Sequence, residues 1–266
     1  MKKTLTGLVL LALVTALTGC RNKNEDLYGP SLTRAQAETH LQAIIDATSG
    51  SAFNKPTAYT LKRSSPFFAL IIVVNRVDTV TYSPAKSYYL DQYGDDSYWA
   101  YLKDDQMIEA KSVLTTSSDS ASTSASTRTS TYSVTNDTFS QACDAMRPKF
   151  APYPDTVVSN AISSRPKDIL AGLKEIDAGN GTLAGTSSVT YSVIDEEYRS
   201  QGDDNLYLSY TKKPSDKSSS TRCTYVFKDY LIQSDHEKQT IIDDGYDFTW
   251  GEPSISYPDL STFTKN

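Results

Sequence analysis

The side chains of this 266-residue chain best equipped for chemistry are three cysteines, two histidines and a scatter of paired aspartates. Cys20 closes a segment in which Lys2 and Lys3 precede an apolar stretch from Leu5 to Leu17. That order is a secretory signal peptide with small residues before the cut, and about a dozen apolar residues are too few to span a bilayer of roughly 30 Å. Outside the cytoplasm Cys143 and Cys223 could form a disulfide, which needs Cα atoms about 4.4–6.8 Å apart; the other reading is two unpaired, partly buried thiols. His40 falls on a helix-patterned segment and His236 lies between Asp235 and Glu237, so neither belongs to a ligand cluster with zinc spacing. The pairs Asp95-Asp96, Asp104-Asp105, Asp203-Asp204 and Asp243-Asp244 lack calcium-loop spacing, and each sits where a hairpin should turn. No nucleophile elbow, Walker loop or dinucleotide fingerprint is present, and nothing singles out two carboxylates for glycoside hydrolysis. The chain is expected to hold no metal and no cofactor and not to be an enzyme.

Aromatic residues carry more weight. Of the 18 tyrosines, many fall on strand-patterned segments. On a sheet they build core and cross-strand ladders, or they line a pocket for an apolar ligand. Tyr88, Trp99, Tyr101, Tyr207 and Tyr225 are the candidate lining residues. Alternation puts Tyr88 with Leu90, Tyr89 with Asp91, Tyr98 with Ala100 and Trp99 with Tyr101. It does not say which face is inside.

These residues must be positioned by a chain that divides into three parts: a signal peptide over 1–19, Cys20 with a polar flexible tether to residue 30, and one domain over 31–266. Thr33 followed by Gln36 is a capping-box pattern, with Leu41, Ile44, Ile45 and Thr48 on one face and Gly50 at the end. From about Ala58 to Val134 the period is that of strands, with the apolar run Phe67–Val74 read as a buried strand. The centre of the Ser/Thr-rich tract from Thr115 to Thr131 reads as a mobile hairpin tip, with strand propensity over Arg128 to Val134 and a mucin-like linker as the competing reading. A helical insert over about 137–178 follows, with segments Thr138–Phe150, Asp155–Ile162 and Arg165–Ile176. Further strands cover Ser188–Ile194, Asn205–Lys212, Thr221–Gln233, Glu237–Asp243, Tyr246–Trp250 and Ile255–Leu260. Helix, strands, helices and strands again is the order of an α+β fold with an antiparallel sheet.

Charge narrows the partners. The net charge is −6, and removing residues 1–19 takes two lysines with it. An acidic chain is ill suited to nucleic acid or to lying flat on anionic lipid.

Leu17-Thr18-Gly19-Cys20 resembles the lipobox of bacterial lipoproteins. That resemblance implies a diacylglycerol on the Cys20 thiol, cleavage just before it, and anchoring on the extracytoplasmic face of the cell membrane. Arg21 rather than Asp follows the cysteine, which in a two-membrane organism leaves the outer membrane open as a destination. The element order over roughly 31–262, with the ending Phe248–Leu260, is similar to the LolA/LolB-like proteins. Members have a strongly curved antiparallel sheet, a half-open β-barrel, whose opening an N-terminal helix and a helical insert cover. The resemblance implies binding of a lipid, acyl chain or hydrophobic peptide. A surface module that docks a protein partner, and an extracytoplasmic hydrolase, are the alternatives.

Overall fold

Thr33 and Thr138 decide where the first two helices begin. Each hydroxyl accepts from the backbone N–H three residues on, and the glutamine there accepts in return from the threonine N–H. These reciprocal caps open α1 (Arg34–Ser49) and α2 (Phe139–Met146). After α1 comes Gly50 in extended backbone, not in the left-handed conformation that a glycine terminus usually supplies. The insert continues with α3 (Pro154–Ser159), a π-type turn over Asn160–Ser164, and α4 (Arg165–Asp177). Pro166 has no N–H to donate and crowds the preceding turn, so a widened turn ahead of it relieves a regular helix.

This computed structural model describes residues 27–69, 72–117, 125–148, 151–177, 191–215, 218–240 and 242–266, without the side chains of 67–69, 72–75, 116–117, 125 and 176–177. The signal peptide, Cys20, the start of the tether, the centre of the Ser/Thr tract and the turn at Gly179-Asn180-Gly181 lie outside the described residues.

Strands form one open sheet. They are β1 (Tyr59–Ala69), β2 (Ile72–Ser83), β3 (Tyr88–Tyr93), β4 (Asp96–Lys103), β5 (Gln106–Ser117) and β6 (Ala125–Thr135). After the insert come β7 (Tyr191–Arg199), β8 (Leu206–Pro214), β9 (Thr221–Lys228), β10 (Leu231–Gln239), β11 (Ile242–Trp250) and the short β12 (Thr264–Lys265). Their order is β12-β6-β5-β4-β3-β2-β1-β11-β10-β9-β8-β7. All neighbours are antiparallel except β12, which runs parallel to β6. The insert therefore leaves one edge of the meander and returns at the other, across one face of the sheet. An open antiparallel sheet with helices on that face is the α+β class expected.

Register sorts the side chains. Tyr59, Leu61 and Arg63 of β1 share a face with Tyr82, Val80 and Asp78 of β2 and with Trp250, Phe248 and Tyr246 of β11. This inner face meets the helices. One core cluster on it runs from Met107 of β5 to Tyr198 of β7 and takes in Leu41 and Ile44 of α1, Cys143 of α2 and Leu173 of α4. A second cluster on the outer face joins Tyr88, Tyr101, Ile108 and Ala110 to Ile255, Leu260 and Phe263 of the C-terminal segment.

Several sequence expectations shift. The run Thr221–Gln233 is two strands, because Asp229 and Tyr230 reverse the chain with φ of 54° and 64°. A tyrosine in the left-handed region gives no sequence cue for such a turn. Asp243-Asp244 lies within β11 rather than in a turn, whereas Asp104-Asp105 and Asp203-Asp204 do turn. At the remaining pair, Asp95 turns with Gly94 while Asp96 starts β4. Ile255–Leu260 is not a strand but a cover over the outer cluster. The apolar run Phe67–Val74 is split between β1 and β2 on either side of their reversal. The end of the tether is docked: Ser31 bridges Arg199, and the Arg199 guanidinium donates to the Gly29 carbonyl at 3.1 Å. Every described strand, helix and core residue lies beyond residue 26, so a chain starting at Arg21 retains all of them.

Candidate functional site

A cavity of about 740 Å³ opens between the insert and the inner faces of β9, β10 and β11. Its apolar side is Pro152, Val157, Ala161, Ile232, Ile242 and Phe248. Asp168, Asp235, Glu237, Asp244, Arg165 and Tyr246 supply its polar side. A volume of this size suits a small ligand, and the mixed wall suits an amphiphilic one.

Strand alternation and one irregularity put these groups together. Asp235 and Glu237 are two apart on β10 and face inward opposite Tyr246 and Asp244 of β11. A bulge between Ile232 and Ser234 shifts the register by one residue, which lets Ile232 face inward as well. From the insert, Arg165 enters directly after the π-type turn. Its guanidinium donates to both Asp235 carboxylate oxygens at 2.6 and 2.9 Å and to Glu237 Oε1 at 3.1 Å. Tyr225 packs behind this pair, its hydroxyl donating to Glu237 at 3.2 Å and its ring 5.5 Å from the guanidinium carbon.

Electrostatics follow from this arrangement. Burial opposes the charge on Arg165, but Asp235 and Glu237 outweigh it and push its pKa up. Burial likewise opposes the charge on Glu237, yet Lys212 and Arg165 hold its carboxyl below the usual range. Asp244 behaves oppositely: burial, then the neighbouring Glu237 and Asp235 carboxylates, raise it. The arrangement can bind and orient. No group of three or more His, Cys, Asp or Glu side chains that could hold a metal ion occurs among the described residues.

The structure separates the aromatic residues picked out from sequence. Tyr88, Trp99 and Tyr101 do come together, but on the outer face. The Tyr88 hydroxyl donates to the Ser256 carbonyl at 2.6 Å, Tyr101 meets the Tyr257 ring at 5.0 Å, and Trp99 meets Phe263 at 6.0 Å. Their role is to bury the C-terminal segment. Tyr207 also faces outward, stacked on Tyr28 with ring centroids 4.4 Å apart. Only Tyr225 is on the inner face, at the back of the cavity's ion pair. The same-face pairs expected from alternation hold, but the residues that line the cavity are others.

Cys143 and Cys223 are both buried and both free. Cys143 is on α2 and Cys223 on β9 beside Tyr210 and Tyr225, so no disulfide joins them. Burial pushes both thiols up, which leaves them protonated and inert at neutral pH. His236 is not in a turn but on the outer face of β10, with Nδ1 2.8 Å from Asp243 and Nε2 3.1 Å from Asp247.

Arg165, Asp168, Asp235, Glu237, Asp244 and Tyr246 escaped the sequence reading because 235–237 and 243–244 look like turns. The one available signal was the spacing of Asp235 and Glu237, which on any strand places both on one face. Compared with models of known protein families and with curated proteins, the chain matches none.

Proposed function

We propose that this chain is a lipid-anchored protein of the extracytoplasmic side of a bacterial membrane that binds an apolar or amphiphilic ligand without acting on it chemically. The observation that carries the binding reading is the cavity of about 740 Å³, with Ile232, Phe248, Val157 and Ala161 on one side. The order of elements supports it too. One helix, six strands, a helical insert and a second set of strands in an open sheet fit a LolA/LolB-like half-open barrel, a likeness that implies binding of a lipid, acyl chain or hydrophobic peptide. Fold likeness alone does not establish function, so the weight rests on the cavity. The anchor reading rests on the residues leading to Cys20. Among the described residues no helix is long and apolar enough to cross a membrane, and two acyl chains would hold the protein firmly.

Native mass spectrometry of the chain from Arg21 onward tests the proposal, with monododecanoyl glycerol as probe. One bound probe per chain is expected. Ser164 lines the cavity and is exposed, so Ser164→Trp should obstruct part of the space and weaken uptake with an unchanged melting temperature. Absence of uptake by the unmodified chain, or undiminished uptake by Ser164→Trp, would remove the cavity as a binding site.

A further inference from the structure

Resting on that reading, we infer that the cavity selects a single-chain amphiphile whose head group is an ammonium. The charges around it are unbalanced. Four carboxylates, those of Asp168, Asp235, Glu237 and Asp244, share the lining with one guanidinium, that of Arg165. Arg165 is paired with Asp235 and Glu237 through Nε and Nη2. Lys212 approaches Glu237 from outside the lining, and Arg63, near Tyr246, is engaged with Asp78. Acid remains in excess with both counted. Asp168 from α4 and Asp244 from β11 stand at the exposed rim, and neither has an ion-pair partner among the described residues.

A second feature is independent of charge. Tyr246 lines the same cavity on the same strand face as Asp244, and it keeps 36% of its surface exposed although it is a large aromatic. An aromatic face beside carboxylates is the chemistry that recognises ammonium, through cation–π attraction added to ion pairing. The apolar side formed by Phe248, Ile232 and Val157 then receives the hydrocarbon chain. An anionic head group would meet Asp168 and Asp244, and the lining's one guanidinium is already paired with Asp235 and Glu237. A neutral head group would leave both carboxylates unpaired.

Three probes of equal chain length test this: dodecylammonium, dodecanoate and monododecanoyl glycerol, each below its micellar concentration, titrated calorimetrically into the chain from Arg21 onward. Dodecylammonium should bind about tenfold or more tighter than dodecanoate, the glyceride falling between them, since carboxylates at a hydrated rim attract the one head group and repel the other. The double variant Asp168→Asn, Asp244→Asn should close most of that gap. Added salt should weaken dodecylammonium binding to the unmodified chain and spare the glyceride, which checks the same point without a variant. Equal affinities, a preference for dodecanoate, or a cation preference that survives both the double variant and salt would overturn the inference while leaving the apolar-ligand reading in place. Failure of all three probes to bind would overturn both.

Discussion

Burial puts Asp91 under electrostatic tension. Its side chain is on the inner face of β3 with 0% exposure, and it accepts from the Tyr89 hydroxyl at 3.2 Å through Oδ2, while Oδ1 has no partner among the described residues. Loss of solvent raises its pKa to about 6 from 3.8, against the pull of Arg63. A carboxyl raised in the folded state binds its proton more tightly there than in the unfolded chain. Stability should therefore fall as pH rises from about 4 to about 6, by on the order of 3 kcal/mol. Urea unfolding across that range should show the slope, and Asp91→Asn should flatten it; an unchanged slope in the variant would rule out this residue as its source. On the outer face His236 behaves differently. Burial works against its charge, but Asp243 and Asp247 on its two ring nitrogens outweigh that and raise its pKa above 6.5. The stabilisation is complete below the unfolded value near 6.5 and is lost as pH rises through the higher folded value. His236→Ala should cost about 1 kcal/mol at pH 6 and little at pH 9. Equal losses at both pH values would show that the clamp acts through packing alone. Gly245 is required opposite this ring, since a Cβ there would come within 2.3 Å of His236 Nδ1 and 2.7 Å of the Asp235 carbonyl.

At the scale of elements, the C-terminal segment is the part whose role changed most. Ile255, Leu260 and Phe263 cover the outer faces of β3, β4 and β5, and β12 adds to the edge at β6 through pairs with Thr131 and Tyr132. Removing residues 254–266 should expose Tyr88, Trp99 and Tyr101 together and cost about 3 kcal/mol or more, at roughly 25 cal/mol per Å² of apolar surface returned to water. A lowered urea midpoint with increased self-association would bear this out, whereas an unaltered midpoint would mean that the segment is decoration. Elements governed by local signals were legible. The capping box at Thr33 and Gln36 placed the start of α1, and the same signature at Thr138 and Gln141 could have fixed the start of α2. Elements governed by partners were not. Ile255–Leu260 has a strand-like composition but finds an aromatic surface instead of a strand, and Asp243-Asp244 has turn residues but pairs with Lys238 and Glu237.

For the molecule as a whole, the proposed anchor and the proposed cavity can be tested separately. If Cys20 carries the anchor, Cys20→Ala should abolish acyl labelling and leave uncleaved precursor, without affecting glyceride uptake by the domain. Labelling that persists in the variant would refute the assignment. Residues 28–31 are docked against β7 and β8. By itself the sequence determined the signals that act over a few residues: the helix caps, the period of strands and helices, the acidic balance, and which neighbouring aromatics share a face. Tertiary structure alone decided which face is inside, because alternation is symmetric until a layer of helices covers one side. It also decided that Tyr88, Trp99 and Tyr101 face the C-terminal segment rather than a ligand. The site itself came from the same source: Arg165 meets Asp235 and Glu237 across about seventy residues of chain, and no local spacing encodes a contact that only the closing of an insert over a sheet can make.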